Sequence, residues 1–150
     1  MNNLIKKLNK ALYHVAERSP DFALLFMRLV LAYGFLGPAV MKWKNMEAIG
    51  DWFQSLGYPF PYLNAYIAGT VEMSGVILLV LGLGIRYISL LLIFVMFVAI
   101  TTVHLSNGFE AGNNGFEIPL YYAVMLYVLF AYGAGKYSLS RIFCKQNHHS

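Results

Sequence analysis

This chain of 150 residues has little of what a soluble or disulfide-built protein relies on. It has one cysteine, Cys144. No disulfide can form within the chain and there is no C-x-x-C pair, which argues against thiol–disulfide chemistry by this chain alone. Charge is sparse: 12% of the residues are charged and 59% are hydrophobic, whereas a soluble domain carries about 25% charged residues. That balance leaves nothing over for a second, soluble domain. Histidine is scarce too. Of the four, His14, His148 and His149 lie in the terminal segments and only His104 lies among the apolar runs. No second histidine stands at ligand spacing, so the metal signal is weak. No small-residue cleavage site comes after the first apolar run, which therefore reads as a retained span and not as a removable signal.

What is there in abundance is apolar sequence in four runs, 22–41, 63–83, 87–105 and 116–134. Each is near the roughly 20 residues that a helix needs to cross a bilayer. The expected fold is all-α: a four-transmembrane-helix bundle over residues 20–135. An amphipathic N-terminal helix within 1–19 precedes it, with Leu4, Leu8, Leu12 and Val15 on one face and Lys6, Lys7 and Lys10 largely elsewhere. Ser19, Pro20 and Asp21 read as cap, first helical residue and first-turn acid of the first span. The loop after it carries a second amphipathic piece around Met46, Ile49, Phe53 and Leu56. It is expected as a short interfacial helix over the outer mouth of the bundle, with Asn45 as its cap. Residues 136–150 form a basic tail.

The net charge of +4 is placed for a membrane, not for nucleic acid. Eight basic residues lie in the N-terminal segment, the 84–86 turn and the tail, while the other two loops hold only Lys42 and Lys44. The positive-inside rule then sets both termini in the cytoplasm, with loops 42–62 and 106–115 outside.

Charges inside such spans are costly, and they mark functional sites unless they are paired for structure. Arg28 and Glu72 are two. Ala65, Ala68, Gly69, Glu72 and Gly75 share a face whose small residues admit a neighbouring helix. At about 1.5 Å per residue, Glu72 lies about 13 Å and Arg28 about 20 Å below the outer ends of their helices. These depths allow an Arg28–Glu72 pair, which would either fix helix register or serve a polar cavity. His104 stands near the outer interface, and imidazole is a common proton carrier and metal ligand. The candidate site is Glu72 and His104 for proton chemistry, with Arg28, Lys42, Asn113, Glu117 and Tyr121 as ligand-binding residues. Gly75, Gly82 and Arg86 are expected to be structural. Carboxylate and imidazole would suit a transition metal. A quinone head group fits a polar pocket near the interface equally well.

Residues Arg28-Leu29, Gly34, Lys42 and Leu56-Gly57-Tyr58-Pro59, then Glu72-Met73-Ser74-Gly75, Gly82-Leu83-Gly84-Ile85-Arg86 and His104 through Gly108-Phe109, resemble the DoxX family in order and spacing. Glu117-Ile118-Pro119-Leu120 and Gly133 through Leu139 resemble its end. The resemblance implies a bacterial inner-membrane four-helix bundle acting with a protein partner or as a homo-oligomer. Relatives include the small membrane subunit of a thiosulfate:quinone oxidoreductase. The stretch 109–117 is also similar to a subgroup tied to maturation of copper-binding peptides. Where the family ending often has Pro and Asp, this chain has Ala134 and Ser140. Two functions stand as expectations: a quinone- or metal-binding subunit of a redox system, or a non-catalytic maturation factor that docks an enzyme. A channel or transporter ranks third, because the outer polar face has no matching path on the other half.

Overall fold

The computed structural model describes residues 2–141, without the side chains of residues 2–4 and 18. Cys144, Lys145, His148 and His149 lie outside the described residues, as does most of the expected tail.

The described residues are mainly helical, with no strand among them. Helix α1 spans Asn2–Arg18, α2 Pro20–Lys44, α3 Met46–Ser55, α4 Pro61–Leu81, α5 Ile85–Ala99 and α6 Glu117–Tyr132. Three helical stretches are long and apolar enough to cross a membrane: Pro20–Lys44, Pro61–Leu81 and Ile85–Asn107. The fourth run forms α6, which at 16 residues is about 24 Å long. Gly133 ends it with a positive φ of 80°. This is a helical membrane bundle, as expected.

Packing is set by the small residues. α2 runs along α4, α5 along α6, and α3 lies on α4, while α2 and α6 touch over a much shorter stretch. Leu31, Phe35, Leu79, Leu92, Leu126 and Leu129 are buried at the centre. Gly75 lets α5 come close: a Cβ there would sit 2.9 Å from Leu92 Cδ1. Trp43 Nε1 donates to the Gly69 carbonyl at 3.1 Å, across the α2–α4 seam. Large apolar side chains elsewhere, among them Phe26, Tyr87, Phe94 and Tyr127, face outward, as a lipid-facing surface requires.

Two expected caps are absent. Ser19 has helical φ and ψ, and its hydroxyl donates back to the Val15 carbonyl at 2.6 Å. With Pro20 supplying no N–H, α1 runs almost directly into α2. Asn45 stands at the start of α3 but turns its amide to the Met41 carbonyl, at the end of α2. α3 also does more than rest on a surface. Gly50 and Phe53 are buried, with the Tyr62 ring of α4 against Gly50 and Tyr58 stacked on Phe53 at 4.9 Å.

Candidate functional site

Arg28 and Glu72 do not meet. Arg28 is wholly buried, at the end of the bundle where α2 begins and α4 ends. Its Nη1 donates to the Leu79 carbonyl at 3.3 Å, and its Nη2 donates to the Tyr137 carbonyl. The guanidinium thus ties α2 to the end of α4 and to the segment after α6. Asp21 helps: it accepts from the Lys136 backbone N–H at 2.8 Å and pairs with Lys136 Nζ at 2.9 Å. The Ser140 hydroxyl donates to the Gly82 carbonyl at 2.6 Å. Gly82 is needed twice over. Its φ is +70°, and a Cβ would run into the Arg28 guanidinium and Ser138. Arg86 Nη2 reaches toward the Ala131 carbonyl at the end of α6, at 3.5 Å. These residues close one end of the bundle and form no pocket with Glu72.

The partner of Glu72 is Lys42. Its Nζ lies 3.0 Å from Oε1 and 2.8 Å from Oε2. The side chains are 13% and 4% exposed, so this is a part-buried ion pair between α2 and α4, with the carboxylate the more deeply buried partner. The sequence reading places Lys42 in the site as a ligand-binding residue but pairs Glu72 with Arg28, because Lys42 stands beyond the end of its apolar run. The long lysine stem lets the ammonium reach back along the helix.

The pair lines a cavity of about 290 Å³. α2 contributes Gly34, Phe35, Pro38 and Lys42, and α4 contributes Glu72. Met96 and Ala99 come from α5, Ile118, Pro119 and Tyr122 from α6, and His104, Ala111, Asn114 and Gly115 from the connection between them. Three of the expected residues, Lys42, Glu72 and His104, therefore share one wall-to-wall space.

His104 reaches it through an irregularity. After Ala99 the helix widens into a π-helical turn, Ile100–His104, and then narrows into a 3₁₀ turn, Leu105–Asn107. A π turn inserts a residue and rotates the helix beyond it, and such turns occur often at functional sites. His104 Nδ1 lies 2.7 Å from the Asn114 carbonyl. A carbonyl only accepts, so Nδ1 carries the proton. A neutral His104 then keeps Nε2 as an acceptor.

The remaining expected residues build the rim. Glu117 accepts from the Ala111 N–H at 3.0 Å through Oε2, and from the Tyr121 hydroxyl at 3.1 Å through Oε1. Asn113 donates to Glu110 at 3.1 Å and is exposed. None of Asn113, Glu117 and Tyr121 is among the residues lining the cavity. They fold the loop that presents Asn114. The neighbours Asn114 and Tyr122 line it instead, with Gly34 and Pro38, and the sequence reading missed these four. Gly34, Pro38 and Lys42 lie four residues apart on one face of α2, which was a usable signal. Nothing in the sequence ranks Tyr122 above Tyr121.

Among the described residues, no three His, Cys, Asp or Glu side chains come together as a metal site. The cavity offers one carboxylate already engaged by an ammonium, and one imidazole.

Residues 23–105 match the DoxX family. An uncharacterized Haemophilus influenzae protein is 31% identical over 131 residues, covering 82% of this chain and 84% of its own. A second from the same organism is 32% identical over 142 residues, covering 87% of this chain and 97% of its own. A Bacillus subtilis protein named "Putative oxidoreductase CatD" is 29% identical over 104 residues, covering 69% and 75%. No solved structure matches the chain.

Proposed function

The chain belongs to the DoxX family of multi-pass membrane proteins, and on that premise we propose that it is the membrane subunit of a redox system, holding a quinone head group in the cavity. The observation that carries this reading is that the Lys42–Glu72 pair and His104 share that space with apolar and aromatic walls. The name of the Bacillus subtilis relative agrees with it. By the positive-inside rule the cavity lies in the outer half of the bundle of a bacterial inner-membrane protein, with both termini cytoplasmic.

The donor set fits a quinone. Lys42 has three N–H groups, and two contacts go to Glu72. The third can hold a ring oxygen. His104 Nε2 can accept a proton from a ring hydroxyl, while the Asn114 carbonyl fixes the tautomer. Phe35, Met96 and Tyr122 supply flat and polarisable walls. Bound there, a quinone supplies two-electron, two-proton chemistry with a partner protein as the other electron carrier. This chain's residues bind, orient and handle protons at Glu72 and His104. A metal at the same place lacks a third ligand among the described residues.

The test is extraction of the purified protein, with organic small molecules and metals assayed on the same sample. A quinone that is present in the native protein and missing from Glu72→Gln and His104→Ala supports the reading. An empty protein that still copurifies with a soluble enzyme overturns it in favour of a maturation factor.

A further inference from the structure

A second concavity lies beside the first. It is a groove of about 780 Å³ along α2, lined by Tyr33, Gly37, Val40, Met41 and Lys44, among others. Residues 33, 37, 40, 41 and 44 recur at helical spacing, so they form one outward stripe. Tyr33, Gly37, Met41 and Lys44 are exposed. On a spanning helix that stripe faces lipid. Two residues, Gly34 and Tyr122, line both the groove and the polar cavity.

The threshold between the two spaces is thin. The Tyr122 hydroxyl lies where a Cβ of Gly34 would be, so the α6 ring crosses α2 only because residue 34 has no side chain. Phe35 holds that ring from the other side, with centroids 5.4 Å apart. α2 and α6 meet over a short stretch. Pro38 lacks an N–H, so the Gly34 carbonyl has no helical donor four residues on, and the helix is weakened at this point. A single ring is what separates the cavity from the lipid side.

We infer that α2 and α6 form a lateral doorway from the lipid into the cavity, with Tyr122 over Gly34 as its threshold and the groove along Gly37 as the seat of an isoprenoid tail. The inference rests on the quinone reading of the cavity. It commits to the tail of the molecule whose head the cavity holds, because groove and cavity are continuous at Gly34 and Tyr122. A membrane quinone is an amphiphile whose tail stays in lipid. Its head therefore reaches a buried site most directly through a side opening.

Gly37 gives the test. A Cβ there would meet nothing within 4 Å, and replacing glycine inside a helix improves its propensity. Gly37→Phe fills the groove from a position that does not itself line the cavity. Two probes are used on the full chain in nanodiscs. One is a tail-less benzoquinone, whose binding is read by quenching of protein fluorescence. The other is the same ring with a diazirine in a decyl tail, crosslinked by light and mapped by mass spectrometry. Crosslinks are expected on residues 33–44 of the native chain. In Gly37→Phe they fall by about tenfold, equivalent to about 1.4 kcal/mol, while the tail-less ring binds unchanged. Crosslinks spread over the outward faces of α4 and α5, or unaltered in Gly37→Phe, overturn the doorway and leave the cavity reading standing. Failure of the tail-less ring to bind the native chain overturns the cavity reading, and the doorway with it.

Discussion

Lys42 and Glu72 stand 30 residues apart and meet as a two-point contact inside the bundle. Removing one partner leaves a buried charge alone, which costs about 3–5 kcal/mol. Replacing both with apolar groups of similar length removes that cost. We therefore expect Glu72→Met and Lys42→Met each to lower the melting temperature in detergent, and the double variant to regain most of it while binding no quinone. Recovery of ligand binding in the double variant would show the pair to be structural alone. Charge exchange separates the roles of Lys42 and Arg28. Lys42→Glu with Glu72→Lys keeps opposite charges in contact and is expected to restore abundance in membranes. Arg28→Glu with Glu72→Arg is expected to restore none, because Arg28 serves the Leu79 and Tyr137 carbonyls at the other end of the bundle. Equal rescue by the second exchange would contradict the observed pairing. The sequence made both charges conspicuous and mispaired them. Depth along a helix is readable from residue counting, but which way a long side chain runs along its helix is not.

At the scale of elements, the four apolar runs were legible because membrane length is a strong constraint on a helix. The boundaries were less so. Ser19 has the right identity for a cap, yet it keeps helical φ and ψ between α1 and α2 and its hydroxyl turns back to Val15. The π turn at Ile100–His104 left no mark that hydropathy could show, since Thr101, Thr102 and Val103 suit either winding. That turn nonetheless decides where His104 points. Thr101 is exposed and bonds only to carbonyls of its own helix. Deleting Thr101 removes the extra residue that the widened turn absorbs, so it is expected to restore regular α winding and to leave the His104 side chain facing the cavity. The deletion variant should stay folded, with a helical circular dichroism spectrum, and keep quinone binding, unlike His104→Ala. Lost binding would mean that the widened turn itself, and not only the register after it, positions His104.

For the whole molecule, the two ends of the bundle are built differently. One end is closed: Arg28, Asp21, Gly82 and Ser140 stitch the segment after α6 to the ends of α2 and α4. The other holds the cavity, walled in part by the loop that Glu117 braces through the Ala111 N–H. The exposed lysines of α1, Lys6, Lys7 and Lys10, belong to the closed end, as does Lys136. Basic flanks are retained on the cytoplasmic side during insertion, so we expect the closed end to face the cytoplasm and the cavity to face outward. The single cysteine makes this measurable with little engineering. In spheroplasts a membrane-impermeant maleimide is expected to leave Cys144 of the native chain unlabelled until the membrane is broken. In a Cys144→Ser chain carrying Ser106→Cys, beside the cavity mouth, the same reagent is expected to label without breakage. The opposite pattern would turn the cavity to the cytoplasm. Electrons would then have to be exchanged with a cytoplasmic partner, and the polar pocket would lie in the leaflet where the basic flanks gather.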